Sequence, residues 1–460
     1  MPDDISTLSV QSFPALVERR ALRDLWIDDH GSQTWLEFGA AVRAAQAACA
    51  TEGVTSGEIV VTPGEATAEA LAWLLGAAGA GAIVAPLRRE RVPELDRWKR
   101  SVRIGWQVVD GRLLRVDEGT VMPVAARLLD ELRGRGQPGL ILATGGTTGT
   151  PKLVLHDLAA LLATVPVKQG AARRVMPLMR FDHIGGLDMA WRALGSGHLI
   201  VTPPAELTPD AVATAIERHA VEVLPATPSF LNLLVTAEAY RTHTLSSLRV
   251  VPYGAEPMPV NLLARLRAAL PKVEFVQRFG TSETGALPVS DAGAGLLLGN
   301  DSAGFTWKIV DEELWVRSPA RALGYLAGGG SGFDADGWFR TGDLAERLLD
   351  GSVNVLGRRE ELINVGGEKV LPAEVESVLL DHPLVVDCRV RAEPSPLLGQ
   401  VVGVEVVWRG PETDAVVVKR ALHAFAGELL PRHMLPVIVR LVSAVDTTGN
   451  WKKNRANPES

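Results

Sequence analysis

Residues able to do chemistry gather in a few short stretches of this chain. The densest is Leu140–Leu153, LILATGGTTGTPKL, where an apolar run opens into Thr144, Gly145, Gly146, Thr147, Thr148, Gly149 and Thr150 before Pro151-Lys152. Glycines let backbone N–H groups close on a phosphate, threonine hydroxyls add donors, and a lysine neutralises charge. It is not a Walker A loop, because Leu153 follows Lys152 where that loop needs Ser or Thr. A second stretch, Val276–Gly285, reads VQRFGTSETG and contains Glu283, a hard oxygen ligand of the kind Mg²⁺ prefers. Three more stand further on: WFRTGDL at Trp338–Leu344, GRREELINVGGEKVLPAEVE at Gly357–Glu376, and DTTGNWKKNR at Asp446–Arg455. Phe181-Asp182-His183-Ile184-Gly185-Gly186-Leu187 places a histidine in an apolar surround.

Strands must carry these stretches and helices must bury the strands. The middle of the chain alternates accordingly, with strands expected at His198–Pro203, Val221–Leu224, Arg249–Tyr253 and Glu274–Phe279. Helices are expected from Thr208 to Ala220, over Phe230–Ala239 and over Val260–Leu270. Thr208-Pro209-Asp210 supplies an N-cap, a first-position proline and a first-turn acid. Thr34-Trp35-Leu36-Glu37 fits a capping box. Such alternation predicts an α/β fold with parallel, helix-covered sheets. Tyr253-Gly254-Ala255-Glu256-Pro257 then falls at a strand end, the edge where ligands collect in parallel sheets.

After about residue 300 the pattern changes, with a glycine cluster at Gly324–Gly337. Helices near Ala373–Leu380 and Ala415–Leu430 mix with strands near Val385–Val390, Val401–Trp408 and Val437–Val445. We place a domain boundary at Gly357-Arg358, giving units of 1–357 and 358–460.

Composition excludes several classes. The 460 residues carry a formal charge of −7 without a long basic run, so nucleic acid is not an expected partner. Two cysteines, Cys49 and Cys388, support neither a disulfide framework nor a thiolate metal site. The acidic start MPDDISTLSV lacks a signal-peptide core. Ala70–Leu87 carries no charge, but Gly76, Gly79 and Gly81 are expected to break it into a buried helix and a buried strand, not a membrane span. These features together predict a cytoplasmic protein without membrane contact. A monomer or a homodimer is expected, and composition does not choose between them.

Taken in order, the five blocks resemble the signatures of the acyl-adenylate-forming superfamily. That group holds acyl-CoA synthetases, aryl-acid adenylating enzymes, peptide-synthetase adenylation domains and luciferases, and the resemblance spans nearly the whole chain. It implies a large multi-lobed N-terminal domain and a small, mobile α+β C-terminal domain. By the same resemblance, Thr144–Lys152 would hold the β- and γ-phosphates of ATP, and Glu283 would place Mg²⁺ on them. Thr281 and Ser282 would border the α-phosphate and the substrate carboxylate, with Phe279 and Gly280 beside the nucleotide. Gly254, Ala255 and Glu256 match the adenine-binding stretch, and Asp343 the ribose ligand, with Arg358 nearby.

The acid pocket would involve Phe181, Asp182, His183, Gly186 and Tyr253, with His183 gating it and Asp182 departing from the usual aromatic. Glu360 resembles the hinge, and Gly366-Gly367 the loop lining a tunnel for a thiol acceptor. The C-terminal catalytic lysine is assigned to Lys452, since some fatty-acid-type relatives share its Thr-Gly-x-aromatic-Lys spacing; Lys453 is the alternative. A lysine there offsets the repulsion of carboxylate and triphosphate, ~4 kcal/mol for a unit pair 4 Å apart at an effective dielectric of 20.

The implied reaction joins a small carboxylic acid, aryl or medium-sized, to AMP with release of pyrophosphate. The acyl group then passes to CoA or to the phosphopantetheine of an acyl carrier protein. Two other readings remain open. One couples the adenylate to nitrogen chemistry, as amide formation or nitrite-dependent diazotisation; the other is a catalytically silent nucleotide sensor.

Overall fold

The computed structural model describes residues 5–144, 152–287, 289–291, 296–298, 304–330, 332–447 and Lys453. Four bodies of strands and one separate two-stranded hairpin organise the described residues. The first sheet runs in the order Gly324–Ala327, Lys152–Asp157, Gly139–Thr144, Ile83–Leu87, Ile59–Pro63, Ile104–Val109 and Arg112–Glu118. From Gly139–Thr144 to Ile104–Val109 its neighbours are parallel, and antiparallel strands close both edges. Ile83–Leu87 is buried along its whole length, as a parallel strand covered on both faces must be.

A second body carries Gly31–Thr34, Asp24–Asp28, Leu199–Val201 and Arg174–Val175, then continues through single parallel bridges at Val223 to the pair Val250–Tyr253 and Glu274–Gln277. The expected strand Val221–Leu224 is thus reduced to bridges from Val223 to Val175 and Val250. Pro225 follows it and cannot donate to a ladder. Helices Pro209–His219, Pro228–Thr236 and Val260–Ala269 lie close to the expected spans. Thr208 caps the first of them by accepting from Ala211 N, and Thr34 and Glu37 form the capping box.

The uncharged segment becomes helix Ala68–Gly79 and strand Ile83–Leu87. Gly76 does not break that helix. A Cβ there would stand 2.6 Å from Ala45 Cβ and 2.7 Å from Val42 O, so glycine lets the helix lie directly on Trp35–Glu52. Among the described residues, no helix is long and apolar enough to cross a membrane.

The third sheet is antiparallel: Val289–Asp291, Leu296–Leu298, Val353–Arg358, Phe339–Arg347, Glu313–Arg317 and Thr306–Val310. After Arg358 the chain makes a short 3₁₀ turn, Arg359–Glu361, and changes sheets. Ile363–Val365 belongs to the last one, with Glu368–Val370, Gly399–Trp408, Val385–Ser395 and the parallel strand Ile438–Leu441. Helices Pro372–Leu379 and Ala415–Ala426 contribute Val375, Leu379, Val418 and Leu422 to this smaller unit's own apolar core.

Candidate active site

Strands of the first three bodies and the separate hairpin supply the residues assigned to the site. Gly139–Thr144 leads into the phosphate segment, and Lys152 opens the returning strand with its Cα opposite that of Thr144. Both feet of the segment are therefore fixed side by side. Gly145, Gly146, Thr147, Thr148, Gly149 and Pro151 lie outside the described residues.

A tight hairpin pairs Gly280-Thr281 with Gly285-Ala286 and is tied to the strand Lys152–Asp157 through His156. Thr281 is buried, and its hydroxyl oxygen accepts from Glu283 N and Thr284 N at 3.2 Å each, which shapes the turn and presents Ser282 and Glu283. Two partners outside the motif hold the turn. His156, fully buried on the strand returning from the phosphate segment, donates from Nε2 to Ser282 O at 2.6 Å. Tyr325 donates its hydroxyl to Glu283 Oε1 at 2.8 Å, and burial beside that carboxylate pushes the phenol pKa well up. Phe279 packs at the edge of the third sheet's core and accepts at its carbonyl from Leu287 N.

A lone carboxylate suits Mg²⁺, which keeps several waters and takes one or two carboxylates together with phosphate oxygens. Among the described residues no cluster of three or more His, Cys, Asp or Glu forms a self-sufficient metal cage. Glu283, a hard oxygen donor on a turn that His156 ties to the strand Lys152–Asp157, fits a metal that would arrive with phosphate oxygens as its other ligands.

Burial lowers the pKa of His156, so it stays neutral, with Nε2 carrying the proton that the Ser282 carbonyl accepts. The unfolded chain binds a proton there near pH 6.5 while the folded one resists it, so stability falls as pH drops through that value. We expect the unfolding midpoint to fall between about pH 7.5 and about pH 5.5, and to fall less steeply in His156→Gln. Thermal unfolding of both proteins across that range checks it.

Asp343 and Arg358 are Cα partners on adjacent strands, and Arg358 Nε meets Asp343 Oδ1 at 2.9 Å. Arg358 also donates from Nη1 to Thr341 O. Burial opposes its charge, but Asp343, Glu360, Glu283 and Glu361 outweigh this and raise its pKa. Arg358 thereby pairs with the carboxylate assigned to ribose and lies within the electrostatic reach of the one assigned to the metal.

At the end of strand Val250–Tyr253, Gly254 lies against the next strand's exit; a Cβ there would be 2.5 Å from Arg278 O. Tyr253 is buried. Ala255 adopts φ +69°, a left-handed conformation that costs a non-glycine residue about 1–2 kcal/mol. Strain of this kind gathers at binding sites. Glu256 Oε2 accepts from Ser229 N and Oγ at the start of helix Pro228–Thr236, and Oε1 accepts from Lys453 N at 2.8 Å. Its carboxylate thus joins the two units of the chain.

Of the residues assigned to the acid pocket, Phe181 is fully buried and packs edge-on to Trp26 in the largest core. Asp182 is buried in an ion-paired cluster with Arg88 and Arg91. His183 caps helix Ile184–Ser196, its Nδ1 accepting from Gly185 N. Gly186 admits no side chain, because a Cβ would come within 2.1 Å of Arg180 O.

Glu360 is exposed on the turn where the chain changes sheets. Gly366 and Gly367, at φ +61° and +101°, form the two-residue turn of the hairpin Ile363–Val370, a geometry that itself calls for glycine. Lys452 lies outside the described residues. Lys453 is buried in the smaller unit, its Nζ 3.2 Å from both Glu376 Oε2 and Asp387 Oδ1.

Four features escaped the sequence reading: His156, Tyr325, the Arg88–Arg91 pair and the partners of Lys453. Only Tyr325 left a local trace, as a rare tyrosine inside the glycine cluster.

Comparison with known proteins gives concordant results. The family model described as AMP-binding enzyme matches residues 117–326, and that of the AMP-binding enzyme C-terminal domain matches residues 374–452. A 4-coumarate–CoA ligase-like protein of Arabidopsis thaliana is 32% identical over 291 residues, 56% of this chain but only half of the relative's own length. The anthranilate CoA ligase AuaEII, solved with anthranoyl-AMP, superposes with a TM-score of 0.80 at 19% identity, covering 98% of this chain and 96% of that one. The amide bond synthetase McbA from Marinactinospora thermotolerans gives 0.74 at 23% identity, with coverages of 97% and 98%.

Proposed function

The chain belongs to the AMP-binding enzyme family of acyl-adenylate-forming ligases, and we propose that its site joins a carboxylic acid to AMP and hands the acyl group to a thiol. The observation that carries this reading is the Glu283 turn, facing Tyr325, bonded to His156, and tied electrostatically through Arg358 to Asp343. On it, Thr144–Lys152 binds the terminal phosphates, Glu283 would hold Mg²⁺ there, and Asp343 with Arg358 accepts the ribose. The metal supplies charge neutralisation for the phosphates when bound. Lys452 bridges the acid's carboxylate and the α-phosphate, offsetting their repulsion and the charge that develops between them.

An aryl or medium-sized acid suits the reading best, with CoA or a carrier-protein phosphopantetheine as acceptor. Support for the aryl class comes from relatives named for 4-coumarate and anthranilate. The test is release of AMP and pyrophosphate across a panel of acids, each with CoA, pantetheine, an amine, nitrite or no acceptor. ADP as the only nucleotide product would refute adenylation. Turnover that depends on amine or nitrite in place of thiol would move the second step to nitrogen chemistry.

Residues 358–460 act in this scheme as a lid that swings about Glu360. Its place at an element terminus between two sheets suits a residue that absorbs backbone torsion. Glu360→Pro fixes φ at this position. It should leave acid-dependent pyrophosphate release near wild-type rates while suppressing transfer to the thiol; equal loss of both steps, measured separately, would argue against a hinge there.

A further inference from the structure

A charged cluster centred on the buried Asp182, next to the foot at Thr144, has no part in the reaction as described. Asp182 is 3% exposed, and its Oδ2 receives Arg88 Nε and Arg91 Nη1, each at 2.9 Å. Arg91 also grips Glu94 through Nε at 2.8 Å and Nη2 at 3.0 Å. Its two terminal nitrogens reach Ala143 O at 3.5 and 3.4 Å. Ala143 immediately precedes Thr144, the first foot of the phosphate segment. Arg88 and Arg91 follow strand Ile83–Leu87, the parallel neighbour of Gly139–Thr144. Phe181 N bonds Gly64 O at 2.8 Å, and Gly64 N bonds Leu87 O at 3.0 Å, which pins Asp182 against the same strand edge.

Buried ion pairs give little net stability over apolar packing of the same volume. What they supply is fixed geometry. One guanidinium here touches two carboxylates and a backbone carbonyl at once, which a planar fork can do and a single ammonium cannot.

We propose that Asp182, Arg88 and Arg91 form a positioning clamp that sets the root of the phosphate segment against the acid-side segment Phe181–Leu187. Asp182 orients Arg91, and Arg91 holds the Ala143 carbonyl. The two substrate-binding stretches, distant in sequence, are thereby kept in one register. This inference rests on the nucleotide-binding reading above.

The test uses the full chain, with Arg91→Lys and Asp182→Asn alone and combined. Affinity for ATP·Mg²⁺ is read by calorimetry, the KM for ATP and kcat by acid-dependent ATP–pyrophosphate exchange, and folding by the unfolding midpoint. Arg91→Lys keeps the charge and should keep the midpoint while weakening ATP binding about tenfold. KM for ATP should rise more than kcat falls, and the double variant should bind no worse than the weaker single one. Unaltered ATP affinity in both single variants would overturn the clamp, as would losses that simply multiply in the double variant. A wild-type chain that binds ATP but exchanges no pyrophosphate with any acid would refute the ligase reading, leaving the clamp to be judged on affinity.

Discussion

Lys452→Ala should slow adenylate formation by about 10²–10³-fold while sparing thiol transfer from a preformed acyl-adenylate. A carboxylate approaching a triphosphate meets like charge at short range, and the attack builds more negative charge around the α-phosphorus. A cation that bridges both anions acts mainly on that transition state, so its loss should fall on kcat and not on the KM for ATP. Thiol transfer expels AMP and requires no approach of carboxylate to triphosphate. In the proposed scheme it also takes place after the lid has swung, with Lys452 withdrawn. Rapid-quench measurement of each half-reaction separates the two. Equal loss in both half-reactions would remove Lys452 from this role.

Local chemistry made part of this molecule legible in advance. Thr34–Glu37 and Thr208 announce helix starts because a cap and its target lie within one turn. Family resemblance, not local chemistry, put Arg358 near Asp343, and the antiparallel pairing of Phe339–Arg347 with Val353–Arg358 makes that nearness an ion pair. The clamp was not legible: Asp182 stands 94 residues from Arg88 and 91 from Arg91, and only the parallel sheet brings them together. Asp182 reads as a departure in a pocket motif, when its partners follow the strand Ile83–Leu87, the neighbour of the one that ends at Thr144. Gly76 misled for a related reason. Glycine weakens a helix by about 1 kcal/mol taken alone, but here the missing side chain admits a second helix. Gly366-Gly367 carry two demands at once, the hairpin turn and the proposed acceptor path, and sequence cannot divide them.

The neighbouring lysine should behave in the opposite way. Lys453→Met should destabilise the smaller unit by about 3–5 kcal/mol, the cost of stranding buried charges when one partner is removed. In the wild type Lys453 Nζ lies 3.2 Å from Glu376 and from Asp387 and donates to Cys388 O at 2.5 Å. Methionine has a similar length and fills the space, so the loss reports charge more than cavity. Burial already raises the pKa of Asp387 against the opposing pull of Lys453. Removing that pull raises it further. A carboxyl whose folded pKa lies above its unfolded value favours the folded state at low pH, and that contribution is lost as pH rises through the folded pKa. The deficit of Lys453→Met should therefore narrow in acid and widen toward alkaline pH, and Lys453→Met/Asp387→Asn should recover part of it. Denaturant unfolding of the three proteins across this range decides the matter. A deficit independent of pH would mean that packing, not charge, seats this residue. Adenylation by correctly folded Lys453→Met at low temperature should stay well above that of Lys452→Ala, because the buried ammonium is held by two carboxylates of its own domain and is not available to the substrates.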